Sequence, residues 1–216
     1  MLIETRAILL DMDGTLVQST AAVELVWGIW CQRHGVPLDA VLSICHGMRS
    51  EDTIAQVAPH LDMAAELLAL NQLEFEHAMQ GSAIVAGADL FLGALVGQPW
   101  TVVTSASRRV ALERLAICGL PLPDVLVGSD DVSAGKPDPQ PYRLGAERLG
   151  MAAQDCLAFE DAPAGVQSAL DAGCQVIQIG TGSAFDPRVR AVVPNWSQLS
   201  LKAADGQLLV ELPAHS

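Results

Sequence analysis

Ile8-Leu9-Leu10-Asp11-Met12-Asp13-Gly14-Thr15-Leu16-Val17 is the stretch around which the 216-residue chain is organised. The apolar run from Ala7 to Leu10 ends in a carboxylate, a second carboxylate follows two residues later, and Gly14-Thr15 signals a turn. A short apolar run bounded by a turn reads as a buried strand of a parallel sheet. Asp11 then stands at the carboxyl end of a strand, where open α/β sheets bind their ligands. Acids at i and i+2 converge on one site while the chain stays extended, which suits either a Mg²⁺ site or a nucleophile beside an acid/base. Taken alone, the Asp-Gly pair equally marks a plain turn capped by Asp11.

Three more stretches weigh against the plain turn. Val102-Val103-Thr104-Ser105 is an apolar run ending in a hydroxyl, Gly135-Lys136-Pro137 carries a lysine, and Phe159-Glu160-Asp161-Ala162-Pro163-Ala164-Gly165 ends another apolar run in an acidic pair. With the first stretch they resemble, in order, the four signatures of the haloacid dehalogenase (HAD) superfamily. The closest look is to its small sugar-phosphate phosphatases, including 2-deoxyglucose-6-phosphate and glycerol-3-phosphate phosphatases. That resemblance implies a Rossmann-like parallel sheet with helices on both faces and an inserted helical cap.

Between Val17 and Ile84 the pattern is helical throughout. Val23, Val26, Trp27 and Trp30 fall on one face, with Ser19 or Thr20 as cap and Gly35 and Pro37 as stop. A short helix over 38–46 breaks at His46-Gly47, another spans 51–58, and a longer one runs over 62–81. This gives an expected division into an α/β core, 1–16 and 85–216, and an all-helical cap, 17–84. From Gly87 onward, helices are expected over 88–96, from Ser107 to Gly119, and over 140–149 and 163–172. Strands are expected over 100–104, 125–127, 156–159 and 175–179. Such strand–helix alternation implies a parallel sheet with right-handed crossovers. Asp205-Gly206 between apolar runs predicts a hairpin.

Composition narrows the partners. Half of the residues are apolar and the net charge is −13, which argues against nucleic acid or an anionic membrane, both of which need a basic face. No apolar run reaches the length of a membrane span, and the N-terminus lacks a signal-peptide pattern. Five cysteines, with no C-x-x-C, read as buried thiols of a cytoplasmic protein rather than as a zinc site. An acidic chain that binds phosphate must invert its field locally, and Mg²⁺ with a few Lys or Arg does so.

By the resemblance, Asp11 is the nucleophile that forms an aspartyl-phosphate, and Asp13 is the acid/base. Lys136 sets a point charge against both Asp11 and phosphate, and Ser105 binds the phosphoryl group, ahead of Thr104. Mg²⁺ is held by Asp11, the main chain of Asp13 and Asp161, with Glu160 acting through water or orienting Asp161. Arg108, or Arg109 beside it, is placed to reach phosphate. His46-Gly47-Met48-Arg49-Ser50 resembles the substrate loop of the sugar and glycerol phosphatases, making His46 and Arg49 substrate residues. Asn71 and Glu74 are unranked candidates on the long helix. Gln18 departs from the Asp of related sequences, at the lead into the cap. The expectation is a Mg²⁺-dependent phosphatase of small sugar or polyol phosphates, monomeric or a weak homodimer. A β-phosphoglucomutase-type mutase and a non-catalytic sugar-phosphate sensor are the alternatives.

Overall fold

In the computed structural model, which describes residues 1–77, 82–204 and 206–212, the run AILL forms a fully buried strand, β2 (Ala7–Leu10), preceded by β1 (Leu2–Thr5). Burial on both sides explains why β2 is continuously apolar rather than alternating. Its neighbours are β5 (Trp100–Val103) and β7 (Cys156–Glu160), both parallel to it. The sheet extends to β6 (Leu126–Val127) beyond β5, and to β8 (Gln175–Ile179) and β9 (Ala191–Val193) beyond β7, parallel throughout.

The period of two along β2 sorts its side chains to opposite layers. Ile8 and Leu10 join one apolar cluster with Val102, Phe159 and residues of α5 (Ala88–Ala94) and α6 (Arg108–Ile117). Ala7 and Leu9 join the other, with Val103, Ala158 and residues of α7 (Gln140–Arg148) and α8 (Pro163–Ala172). Each fully buried Leu, Ile or Phe here contributes about 1.5–3 kcal/mol of transfer free energy. The sheet is thus covered on both faces, as the strand–helix alternation predicts.

Between β3 (Val17–Gln18) and β4 (Ala83–Ile84), which pair antiparallel, the described chain is helical: α1 (Thr20–His34), α2 (Leu38–Leu42), α3 (Ser50–Val57) and α4 (Met63–His77). These helices bury a cluster of their own that contains Val26, Trp27, Trp30, Ile54 and Leu70. Trp30 is fully buried and donates its indole N–H to Glu66 at 2.8 Å. The helix expected over 38–46 stops at Leu42. Residues 78–81, which the sequence assigns to the end of the long helix, lie outside the described residues.

The C-terminal part forms the expected hairpin, and the sequence did not predict that β1 pairs with it. β11 (Gln207–Glu211) pairs with β1 on one side and with β10 (Ser200–Ala204) on the other, antiparallel to both. Ala204 faces Gln207 across the expected hairpin, where Gly206 takes φ +75°; Asp205 itself lies outside the described residues. Trp196 packs against Phe91 and Phe159 with ring centroids 4.7 and 4.6 Å away, and its indole donates to the Thr15 carbonyl at 2.7 Å. The C-terminal segment therefore braces the turn that follows β2.

Candidate active site

Sheet order brings the signatures together. β2 lies between β5 and β7, so Asp11, Thr104-Ser105 and Glu160-Asp161 all fall at one edge. The Asp11 amide donates to the Phe159 carbonyl at 3.0 Å, which continues the β2–β7 pairing to the carboxylate itself. Gly14 then turns the chain back, its N–H bonded to the Val17 carbonyl at 2.7 Å. Gly14 has φ +88°, and a Cβ there would overlap the Asp161 carboxylate. Glycine at this position satisfies both the left-handed backbone and the close approach.

Lys136 is 1% exposed and reaches the same edge from the loop before α7. Its Nζ donates to Asp11 Oδ1 at 2.6 Å, to Glu160 Oε1 at 2.6 Å and to the Val103 carbonyl at 3.0 Å. All three protons of the ammonium are used. Burial alone would depress the Lys136 pKa, but the two carboxylates outweigh it and hold the ammonium charged.

Glu160 is fully buried, and its oxygens are saturated. Oε1 accepts from Lys136 and from the Tyr142 hydroxyl at 2.9 Å; Oε2 accepts from the amides of Asp161 and Ala162 at 3.0 and 3.2 Å. A carboxylate has about four acceptor positions. Glu160 therefore fixes Lys136 and the 160–162 backbone, which includes the Asp161 amide, in keeping with the second of the two roles expected for it, that of orienting Asp161.

Asp161 accepts from the Thr15 hydroxyl at 3.0 Å. One oxygen each of Asp11, Glu160 and Asp161 lies within 4.8 Å of the others, close enough to hold a metal ion. Burial, and then the Glu160 charge, push both Asp11 and Asp161 above the usual carboxylate range. Clustered buried carboxylates that resist ionisation call for a cation between them.

Asp13 accepts from the Ser19 hydroxyl at 2.5 Å and from the guanidinium of Arg114. Ser19 stands at the N-cap position of α1 but makes no capping bond with its side chain; the hydroxyl goes to Asp13. A cavity of about 260 Å³ opens between this edge and the helices α1, α3 and α4, lined by Asp11, Asp13, Ser105, Asp161, Arg114 and Glu74. Val23, Trp27 and His46 form part of its wall. Ser105 is on the cavity, its hydroxyl donating to the Gly47 carbonyl at 2.8 Å, while Thr104 accepts from the Ala106 amide at 3.1 Å.

Neither Arg108 nor its alternative Arg109, one of which was expected to reach phosphate, lines the cavity. Arg108 turns to the loop after β6, donating to Asp131 at 2.9 and 3.2 Å and to the Leu126 carbonyl at 2.7 Å. Arg109 stacks its guanidinium over Phe75, 4.0 Å from the ring centre. Arg49 is buried and is not among the residues lining the cavity at Asp11, although it borders a smaller one that shares Ser50, Glu74 and Ser105 with it. It is chelated by Asp52 at 2.7 and 2.9 Å, paired with Glu51, and bonded to the carbonyls of Val132 and Ser133 at 3.0 and 3.3 Å. A Cβ on Gly135 would overlap the Arg49 side chain, so the glycine before Lys136 makes room for it.

Arg114, Tyr142 and Trp196 carry no expectation from sequence, and Ser19 and Thr15 are read there only as a helix cap and part of a turn. Only Arg114 carried a signal: it falls three residues after Ala111 and one before Leu115, on the buried stripe of α6.

A model of the family described as haloacid dehalogenase-like hydrolase matches residues 5–173. The chain belongs to the haloacid dehalogenase-like hydrolases. Among HAD relatives, hexitol phosphatase A of Escherichia coli is 42% identical over 192 residues, spanning 87% of this chain and 88% of its own. Glycerol-1-phosphate phosphohydrolase 2 of Saccharomyces cerevisiae is 33% identical over 193 residues, spanning 83% and 76%. The fold is similar to that of CbbY from Rhodobacter sphaeroides solved with phosphate, with TM-score 0.78 and 21% identity over 90% of this chain and 96% of that one. The order of signatures read from the sequence is that of a HAD hydrolase.

Proposed function

We propose that this chain is a Mg²⁺-dependent phosphatase of small sugar or polyol phosphates that works through a phosphorylated Asp11. The similarity to phosphatases of hexitol, glycerol and 2-deoxyglucose phosphates supports the substrate class. The observation that carries the chemistry is Asp11 at the cavity edge, bonded to a buried Lys136 and flanked by Asp13 and Asp161.

In this reading an Asp11 oxygen attacks phosphorus, and the bond to the sugar oxygen breaks. Asp13 delivers a proton to that oxygen, then takes one from the water that attacks the phosphoryl group. Water oxygen replaces the Asp11 oxygen on phosphorus, releasing inorganic phosphate and restoring the carboxylate. Lys136 holds Asp11 in place and offers positive charge to the phosphoryl oxygens. Ser19 and Arg114 fix the Asp13 carboxylate at the edge of the cavity.

Asp11, Asp161 and the Asp13 carbonyl would hold the metal; Mg²⁺ takes an octahedron of oxygens and supplies charge against two approaching anions. The helical stretch 17–84 acts as a cap that walls the cavity and touches the part of the substrate beyond phosphate. The enzyme is placed in the cytoplasm, as a monomer or weak homodimer, with no nucleic-acid or membrane partner.

Phosphate release from a panel of hexitol, glycerol and hexose phosphates, with Mg²⁺ and with EDTA, tests this. Release from at least one of them that stops with EDTA is expected. No release from any, or release indifferent to EDTA, overturns it.

A further inference from the structure

Arg114 is the charged side chain in the cavity for which phosphate chemistry provides no full account. It is 3% exposed, and its Nε has no acceptor among the described residues. A guanidinium has five N–H donors; Asp13 is its hydrogen-bond partner among the described residues. Donors left over in a buried guanidinium are costly unless something else accepts from them.

Glu74, on α4, lines the same cavity. α4 packs against α6; burial pushes the Glu74 carboxyl up to about 7, and the Arg114 charge works against that rise. Glu74 lies beside Ser50 and also borders a second, smaller cavity of about 100 Å³, with Ser50, Asn71, Ser105 and Ser107. A carboxylate repels phosphate, so Glu74 has no use at the phosphoryl end of the substrate. It suits a part of the ligand that donates hydrogen bonds. Arg114 lines the same cavity and has donors beyond the one that Asp13 takes, so the two side chains together match two neighbouring hydroxyls, one giving a proton and one accepting.

We infer that Arg114 and Glu74, from two helices packed together at the cavity, form the hydroxyl-reading pair of this enzyme. Glu74 accepts from one hydroxyl of the carbon chain, and Arg114 donates to the oxygen of its neighbour. The inference rests on the phosphatase reading above and assigns its specificity to residues that the substrate-loop resemblance does not include.

The test compares sorbitol 6-phosphate, which carries adjacent hydroxyls, with p-nitrophenyl phosphate, which carries none. The proteins are wild type, Glu74→Ala and Arg114→Lys, each with Mg²⁺. Glu74→Ala is expected to lower kcat/KM for sorbitol 6-phosphate by about 10–100-fold, mainly through KM, and for p-nitrophenyl phosphate by at least about tenfold less. Arg114→Lys is expected to slow both substrates, since it also holds Asp13, with the larger fall on sorbitol 6-phosphate. Glu74 is only half-buried, so its variant decides the matter if Arg114→Lys does not fold. Falls on the two substrates within about threefold of each other for a folded Glu74→Ala overturn the pair while leaving the phosphatase reading intact. A wild type that releases phosphate from p-nitrophenyl phosphate or from another member of the panel but not from sorbitol 6-phosphate overturns the pair alone, whereas release from no member of the panel overturns the phosphatase reading and the pair with it.

Discussion

Lys136 Nζ lies 2.6 Å from Asp11 Oδ1 and 2.6 Å from Glu160 Oε1, so one buried ammonium joins the end of β2 to the end of β7. Removing one partner of such a buried pair costs about 3–5 kcal/mol, because the remaining charges lose their compensation. Lys136→Ala is expected to lose activity, to melt lower than wild type, and to weaken inhibition by beryllofluoride. Inhibition and melting are both direct measurements. Unchanged beryllofluoride inhibition would show that Lys136 does not face the phosphoryl position.

Arg49 ties the loop after α2 to the carbonyls of Val132 and Ser133, just before Gly135-Lys136. Its donors are spent on protein, so its loss should loosen the Lys136 loop rather than remove a substrate contact. Arg49→Ala is expected to lower kcat/KM for a sugar phosphate and for p-nitrophenyl phosphate alike, by about 3–30-fold. A fall confined to the sugar phosphate would return Arg49 to substrate recognition, as the substrate-loop resemblance implies.

How far the sequence carries the site is seen in these two residues. Lys136 was readable because its role depends on a short motif and on β2, which the apolar run marks. Arg49 was readable as a residue but not in its placement, which depends on acids one turn along α3 and on carbonyls 83 and 84 residues away. Arg108 fails for the same reason: Asp131 captures it from a loop that spacing cannot position. The acidic pair marked Glu160 as a site residue, but its bond from Tyr142, 18 residues upstream, depends on the packing of α7 and left no signal in the sequence. The parallel sheet was legible from its alternation with helices. β1 and β9 were not, being short and made regular by partners far along the chain.

Asp131 accepts from Arg108, Arg148 and the Gly128 amide. These donors, Arg148 first, hold its carboxyl well below the usual range. A depressed folded-state pKa adds stability that is present above the unfolded pKa, near 4, and is lost as pH falls toward the folded value. Asp131→Asn is therefore expected to cost about 1–3 kcal/mol at pH 7 and less than that below about pH 3. Urea melts of both proteins at the two pH values check the sign; a gap that widens on acidification would contradict it.

Ser19 and Arg114 converge on Asp13 from α1 and α6. Asp13→Asn keeps the shape and removes the proton transfer. Turnover is expected to fall by about 10²–10⁴-fold, with little change in Mg²⁺ affinity followed by calorimetry, because the proposed metal site takes the main-chain carbonyl there and not the side chain. Lost Mg²⁺ binding with normal turnover at saturating metal would contradict the acid/base role.

The central claim is that Asp11 carries the phosphoryl group. Its direct measurement is inorganic phosphate released from a sugar phosphate with Mg²⁺ by wild type and by Asp11→Asn, the variant shown by circular dichroism to be folded. An amide neither attacks phosphorus nor holds the metal well, so a loss of about 10⁴-fold or more is expected. Asp11→Asn retaining a tenth of the wild-type rate would contradict it.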